Sequence, residues 1–375
     1  MTQFAMIARR INPRHLWRRG NRLDGACLAR QQMGNSKPIS MKRLLALFIV
    51  PTLLFTACDK STSPSGAPGG GGGKKLTIAL LPKSKGNQYF VTCEKGARNA
   101  AGELGAELLF DGPTDTNPAK QNEIVENWIT LGVDVIAAAC ENKEGISTAL
   151  KKAQAKGIKV VTYDSDANAD ARSFFVNQAT AEGIGNVLMD EAARLTGEEG
   201  EFAIITATLT AANMNEWRKH IEARLAAKYP KMKLIDTKAC DDQKDKAQQE
   251  ATNLLGANPN LKCIMAICSP AVPGAAEAVK QAGKAGTVKV IGLGLPSENK
   301  AYVKDGVTQS VILWKVEDIG YLTVKVAAAL ANGSLKAGAT EFDAGKIGKM
   351  EVQGDNILLG KPFIFNKENI DGFDF

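Results

Sequence analysis

The feature that most constrains the fold of this 375-residue chain is an alternation of apolar runs and amphipathic segments, which begins at Lys75. The apolar runs predict strands at residues 76–82, 106–110, 133–139, 159–163, 202–206, 233–237, 263–267 and 288–293. The segments between them predict helices at residues 94–104, 122–131, 145–155, 184–195, 216–228, 246–255 and 275–282. Apolar strands that alternate with helices are typical of parallel sheets covered on both faces.

The alternation runs through two cycles. The first ends near Asn177 and the second begins at TAEGIG, so the pattern predicts an α/β fold with two parallel-sheet halves of similar size. Residues 308–330 read as a strand that passes into a long helix, which indicates a crossover back to the first half. We assign residues 75–177 and about 315–345 to lobe 1, and residues 178–314 and about 346–375 to lobe 2.

The N-terminal region has the pattern of an export signal. Met41-Lys42-Arg43 precedes a short apolar run at 44–55 and small residues before Cys58, which is typical of a bacterial lipoprotein signal. A spanning helix needs about 20 apolar residues, so a short anchor helix is the weaker alternative. Residues 1–40 read as an over-long start, and residues 59–74 read as a flexible Gly/Ser/Pro tether. The pattern predicts a protein anchored by a lipid on Cys58, in the periplasm or at the cell surface.

The positive net charge of the chain belongs to this leader. Residues 1–58 hold 10 of the 47 Lys and Arg residues and a single acid, Asp24, whereas the remainder carries 37 basic and 39 acidic side chains. A nucleic-acid partner therefore has no electrostatic support in residues 59–375.

Five cysteines remain after Cys58, and none of them forms a CxxC pair, which argues against a zinc site and a dense disulfide framework. One bridge is compatible with an exported protein, but the sequence does not assign it. These cysteines are Cys93, Cys140, Cys240, Cys263 and Cys268.

Ligands of open parallel sheets bind beyond the carboxyl ends of the strands, so functional groups are expected there. These positions supply charges, amides and aromatic rings but no coherent catalytic set. His220 is the only histidine after Cys58, and the chain has neither a GxSxG elbow nor a phosphate-binding loop. We predict a protein that is not an enzyme, with no catalytic residue and no cofactor. A carbohydrate-active enzyme is the alternative, although glycosidase carboxyls stand about 5–9 Å apart across the scissile bond, unlike two aspartates in one loop.

Two aspartates, Asp164 and Asp166, follow the strand predicted at 159–163. They are compatible with a divalent cation site, but too few other acids follow the strands, so no metal is predicted. A cap or turn role for Asp164 is a second interpretation. The third is a sugar clamp, in which a carboxylate accepts from hydroxyl groups and Lys83 donates to the same ligand. Aromatic rings would supply flat faces for such a ligand, and the candidates are Tyr89, Phe90, Trp217 and Trp314.

A resemblance supports this third interpretation. From Lys75 to Phe375 the chain resembles the periplasmic sugar-binding proteins of ABC importers, ribose-binding in fold, and is most similar to the rhamnose-binding and autoinducer-2-binding subgroup. The resemblance rests on LLPKSKGNQYF, LFDGPT, TYDSD, ANMNEW, VPGAAEAV, IGLGLPSE, LWKVEDIGY, DAGKIGKMEV and FIFNKENIDGFDF. It implies a type I periplasmic binding protein with two Rossmann-like lobes, joined by three hinge strands, that close over a ligand.

Carried over by position, the resemblance implies a ligand held by Lys83 and Asp164 of the first lobe and by Asn213, Met214, Pro273 and Ala275 of the second. Autoinducer-2 binders have Asp-Gln where this chain has Asn213-Met214, whereas GLGLPSE and DAGKIGKMEV look like rhamnose-binding proteins. Lys315, where relatives have Asp or Asn, is a further candidate ligand residue beside Trp314, as is Asp166 beside Asp164.

The expected function is capture of rhamnose or a related deoxy sugar by a monomeric lipoprotein, which delivers it to the membrane subunits of an ABC permease with a cytoplasmic ATPase. The alternatives are binding of autoinducer-2 and ligand sensing for a chemoreceptor or kinase.

Overall fold

The computed structural model describes residues 74–375. The predicted leader, the predicted lipidation site at Cys58 and nearly all of the predicted tether lie outside these residues. Within residues 74–375, no helix has the length and apolar character needed to cross a membrane.

The first cycle folds into the core of one sheet. Its elements are β1 (Thr77–Leu81), α1 (Gln88–Leu104), β2 (Glu107–Phe110), α2 (Pro118–Leu131), β3 (Val135–Ala138), α3 (Lys143–Ala155), β4 (Lys159–Tyr163) and β5 (Phe174–Asn177). These strands lie in the order β2-β1-β3-β4-β5, and every neighbouring pair is parallel. β1, β3 and β4 are almost entirely buried, which is why their sequences are continuous apolar runs.

The second cycle repeats the arrangement. Its elements are α4 (Ala181–Thr196), β6 (Gly200–Thr206), α5 (Ala212–Lys228), β7 (Met232–Ala239), α6 (Lys244–Ala257), β8 (Leu261–Ala266), α7 (Ala271–Gln281), β9 (Lys289–Leu293), α8 (Pro296–Lys304) and β10 (Ser310–Leu313). The strand order β7-β6-β8-β9-β10 has the same pattern as in the first sheet, and these pairs are also parallel. The two parallel-sheet lobes predicted from the alternation are therefore present.

The C-terminal segment is shared between the lobes. It forms α9 (Val316–Ala331), β11 (Glu341–Asp343), β12 (Lys349–Gln353), β13 (Asn356–Leu358) and β14 (Phe363–Phe365). α9 packs on α1 and on β3, β4 and β5 of the first lobe. β14 pairs antiparallel with β10 at the edge of the second sheet.

One predicted boundary is wrong. Residues 346–375 were assigned to lobe 2, but β12 and β13 belong to the first sheet, where β13 pairs in parallel with β5. The reason is that β5 is the edge of the parallel core and offers free backbone groups, which these short strands satisfy. The described chain passes between the two sheets three times, at residues 178–180, 314–315 and 359–362.

Asparagine caps set where three helices of the first lobe begin. The side chains of Asn87, Asn117 and Asn142 accept hydrogen bonds from backbone N–H groups in the first turns of α1, α2 and α3. Asn87 and Asn142 stand only a few residues beyond β1 and β3. The caps therefore fix the short loops at the carboxyl ends of these strands.

Two glycines allow α1 and α9 to approach closely. A Cβ atom on Gly96 would collide with the backbone of Glu317, and one on Gly320 would collide with the backbone of Cys93. The two helices thus touch backbone to backbone, and this contact holds the returning segment on the first lobe.

We expect Gly96→Ala to lower the free energy of unfolding by about 2 kcal/mol or more, because the added methyl group forces the helices apart. Gly102→Ala is the matched control on the same helix, since a Cβ there has no atom within 4 Å. It should be neutral or stabilise by up to about 1 kcal/mol. Urea unfolding of both variants measures the difference, and equal stabilities would refute the close-contact role of Gly96.

Candidate functional site

Polar residues at the carboxyl ends of strands from both lobes surround one buried cavity. Lys83 and Asn87 follow β1, Asp164 follows β4, and Asp242 and Ser269 follow β7 and β8. The cavity is lined by Lys83, Asn87, Tyr89, Phe90, Thr116, Glu141, Asp164, Ala207, Asn213, Met214, Trp217, Asp242, Ile267, Cys268, Ser269, Leu293, Leu313 and Trp314. Its position between two parallel sheets is where this topology binds ligands.

A chain of hydrogen bonds holds the Asp164 carboxylate. The indole Nε1–H of Trp314 donates to the Tyr89 hydroxyl at 2.9 Å, and that hydroxyl donates to Oδ1 of Asp164 at 3.0 Å. Asp164 is 5% exposed and has φ +59°, in the left-handed region. Aspartate tolerates this region better than most residues, and such outliers cluster at functional sites.

Lys83 is the only cation on the cavity wall among residues 74–375, and it is 4% exposed. Its Nζ donates to Oδ1 of Asn213 at 2.8 Å and lies 3.8 Å from Oδ2 of Asp164. Burial raises the pKa of Asp164, and the nearby Lys83 ammonium opposes this shift. Lys83 thus links a first-lobe carboxylate to a second-lobe amide.

Asn87 forms a second set of bonds between the lobes. Its Nδ2 donates to Oδ2 of Asp242 at 2.6 Å, and its Oδ1 accepts from the Ser269 hydroxyl at 3.0 Å while also capping α1. Desolvation raises the pKa of Asp242, and the hydrogen bond from Asn87 opposes this. The lobes are therefore in direct contact at the cavity through both Lys83 and Asn87.

Glu141 presents a carboxylate to the cavity and is 1% exposed. Its Oε1 accepts from the Thr208 hydroxyl of the second lobe at 2.5 Å, whereas its Oε2 has no hydrogen-bond partner among the described residues. The buried Gln121 holds this region, because its amide bonds the carbonyls of Pro82 and Ala139 and the N–H of Glu141. Glu141 therefore has a fixed position and a free acceptor.

The rest of the wall is aromatic and aliphatic. The rings of Trp217 and Trp314 have centroids 6.3 Å apart, and those of Tyr89 and Trp314 are 6.2 Å apart. Ile267, Leu293 and Leu313 cover the ends of β8, β9 and β10. The cavity thus combines acceptors, donors and flat apolar faces.

The structure brings eight of the sequence-predicted residues together on the cavity wall: Lys83, Tyr89, Phe90, Asp164, Asn213, Met214, Trp217 and Trp314. Asp166 is not among them. Its carboxylate accepts from Nε and Nη2 of Arg172 at 3.0 and 2.8 Å, and it lines an outer groove instead. Asp166 therefore supports the loop after β4.

Three other predicted residues also lie away from the cavity. Pro273 and Ala275 are buried inside α7, which packs against α6, so the loop before the helix supplies the wall instead. The side chain of Lys315 is 63% exposed and pairs with Asp318, because it stands at the start of α9 and faces outward. None of these three residues lines the cavity between the lobes.

Sequence reasoning did not select several wall residues, among them Asn87, Glu141, Asp242 and Ser269. Each follows a strand, so strand-end position was the available signal. What identifies them is the contact between lobes, which a linear pattern does not contain.

The sequence of residues 78–335 matches the family model of the periplasmic binding protein domain. The chain belongs to this family. The D-ribose/D-allose-binding protein of Pseudomonas aeruginosa is 31% identical to it over 279 residues, which are 71% of this chain and 85% of that protein.

Solved structures of similar proteins share the fold. An ABC transporter solute binding protein from Clostridium phytofermentas with bound L-rhamnose has a TM-score of 0.77 and 30% identity, covering 80% of this chain and 98% of that one. LsrB from Clostridium saccharobutylicum in complex with AI-2 has a TM-score of 0.76 at 24% identity, covering 80% and 100%, a likeness of fold alone. The predicted type I periplasmic binding protein fold is confirmed.

We expect the stability of the wild type relative to Asp164→Asn to fall as pH rises. A raised native pKa means that the native state keeps a proton that the unfolded chain releases near its own pKa of about 3.9. The contribution of the Asp164 carboxyl to the free energy of unfolding is therefore fully present below the unfolded pKa, and it is lost as pH rises through the native pKa. Urea unfolding of both proteins between about pH 3.5 and 7 measures it.

Asp190→Asn is the control of opposite sign. The hydrogen bond from Arg224 lowers the pKa of Asp190, so its contribution is present above the unfolded pKa and is lost on acidification. A wild-type advantage over Asp164→Asn that grows with pH, as expected for Asp190→Asn, would contradict the assigned environment of Asp164.

Proposed function

We propose that this protein is an extracytoplasmic receptor that captures a monosaccharide between its two lobes and delivers it to an ABC permease. Within that class, we propose a deoxy sugar such as rhamnose. The observation that carries the proposal is the buried interlobe cavity, which combines fixed carboxylates with aromatic rings. Membership of the periplasmic binding protein family supports the location and the partner.

Carboxylates suit a ligand rich in hydroxyl groups. Hydrogen bonds to ionised acceptors are shorter and roughly twice as strong as neutral ones. Asp164 and Glu141 would accept from ligand hydroxyls, and Lys83 would donate to a ligand oxygen. A ligand lacking one of these hydroxyls would leave a buried charge unpaired, which selects against it without any catalysis.

Aliphatic side chains support the narrower choice. Ile267, Leu293 and Leu313 form a cluster on the cavity wall that offers no hydrogen-bonding side-chain group. The methyl group of a 6-deoxyhexose would bury favourably there, whereas a hydroxymethyl group would lose its bonds to water. The rhamnose-bound structure at 30% identity adds support.

Hydrogen bonds between the two lobes would stabilise a form of the protein in which the lobes are closed over the ligand. Lys83 bonds Asn213, Asn87 bonds Asp242, and Glu141 bonds Thr208, each across the cleft. A bound sugar that touches both lobes would favour the closed form through its differential affinity for that form. The three crossings at residues 178–180, 314–315 and 359–362 would act as the hinge for this motion.

We expect L-rhamnose to raise the melting temperature of the protein and to bind about 10- to 100-fold more tightly than L-mannose, which differs only by a hydroxyl at carbon 6. Thermal shift followed by calorimetry measures both, with D-ribose, D-allose and autoinducer-2 as competing ligands. A response to D-ribose alone would support the proposed receptor function but overturn the assignment of a deoxy sugar as its ligand. No response to any of these sugars would overturn the proposed function.

We expect Glu141→Gln to weaken binding of the cognate sugar about 10- to 100-fold, because a charge-assisted hydrogen bond is replaced by a neutral one. Glu126→Gln is the matched control, since Glu126 pairs with Lys152 on the surface. Thr208→Val removes only the hydrogen-bond partner of Glu141 Oε1, so it should weaken sugar binding less than Glu141→Gln does. Equal calorimetric affinities of the Glu141→Gln variant and the wild type would rule out contact between Oε2 and the ligand.

A further inference from the structure

Two cysteines from separate loops meet at the second-lobe wall of the cavity, which Cys268 itself lines. Cys240 follows β7 and Cys268 follows β8, and these strands lie on either side of β6. Their sulfur atoms are 3.5 Å apart, and the residues are 0% and 3% exposed. No other pair of thiols is in hydrogen-bond contact within residues 74–375.

We propose that Cys240 and Cys268 form a disulfide in the exported protein. A disulfide requires sulfur atoms about 2.05 Å apart, so the two must approach by about 1.5 Å. Both loops flank the end of β6, because the N–H of Cys240 bonds the carbonyl of Thr206 and the N–H of Ile267, next to Cys268, bonds the carbonyl of Ile205. A movement of the two loops toward each other supplies this distance. The bridge rests on the proposed function only through the extracytoplasmic location, where an oxidising environment allows disulfides to persist.

The chemistry needs an oxidant of the protein-disulfide class. A thiolate of one cysteine attacks the disulfide of the oxidant, and the second cysteine then displaces the oxidant as a dithiol. Two thiols lose two protons and two electrons, which the oxidant takes up. Burial raises the pKa of Cys268, so this exchange is slow in the folded protein and belongs to the period of folding after export.

The bridge would act on the ligand site through Asp242 and Ser269. Asp242 lies two residues after Cys240, and Ser269 lies one residue after Cys268. Both side chains bond Asn87 of the first lobe. A covalent link between their loops fixes the two second-lobe partners of Asn87 relative to each other, which pre-organises the closed cavity.

The test is peptide mapping of the full chain recovered from the extracytoplasmic fraction of a bacterial host, alkylated with N-ethylmaleimide under denaturing conditions without reductant. We expect a peptide pair joined through Cys240 and Cys268, and alkylated Cys93, Cys140 and Cys263. Cys240→Ser should expose Cys268 to alkylation. Cys93→Ser is the matched control and should retain the bridge. Complete alkylation of Cys240 and Cys268 in the wild type would overturn the proposal.

Comparison of the reduced and the disulfide-bridged protein then measures the effect of the bridge on stability and its effect on ligand binding separately. Bridging closes a long loop in the unfolded chain and should raise the melting temperature by roughly 5 °C over the dithiothreitol-treated protein. L-rhamnose affinity should be several-fold lower after reduction, and equal affinities would overturn the pre-organising role. If the sugar panel gives no binding, the peptide map still decides whether the bridge forms, so the two proposals fail separately.

Discussion

A buried carboxylate needs hydrogen-bond partners, and the way Asp164 meets this need organises the cavity. Tyr89 donates to it directly, Trp314 orients Tyr89, and Lys83 supplies the nearby positive charge. Trp314 comes from a crossing between the lobes, while Tyr89 and Lys83 come from the first lobe. A buried charge without partners would cost several kcal/mol. The hydrogen bonds that prevent this also connect Trp314, at the crossing, to Asp164 of the first lobe.

The topology determines why these groups meet at all. Parallel strands end at the same edge of their sheet, and the two edges face each other across the cavity. The close passage of α1 and α9 at Gly96 and Gly320 returns the chain to the first lobe after β10. The polar residues of the cavity can therefore sit on short loops and still form bonds between the lobes.

The pattern of apolar residues in the sequence predicted most of the strands and helices. The strands at β1, β3, β4, β8 and β9 are buried on both faces, so their runs were visible in the sequence without any tertiary knowledge. β12 and β13 were misassigned because they are short and half-exposed, and their place depends on pairing with β5. A pairing between segments about 180 residues apart leaves no local pattern in either one.

The sequence alone determined the two α/β lobes and the position of Lys83 and Asp164 just after strands of the first lobe, because these follow from local hydrophobicity and from motifs that resemble a known family. Only the tertiary structure decided which polar groups face the cavity. It turned Asp166 toward Arg172 and Lys315 toward Asp318, and it brought Asn87, Glu141 and Asp242 into contact across the lobes. The physical reason is that a side chain's partners depend on the packing of distant elements, which a linear pattern does not encode.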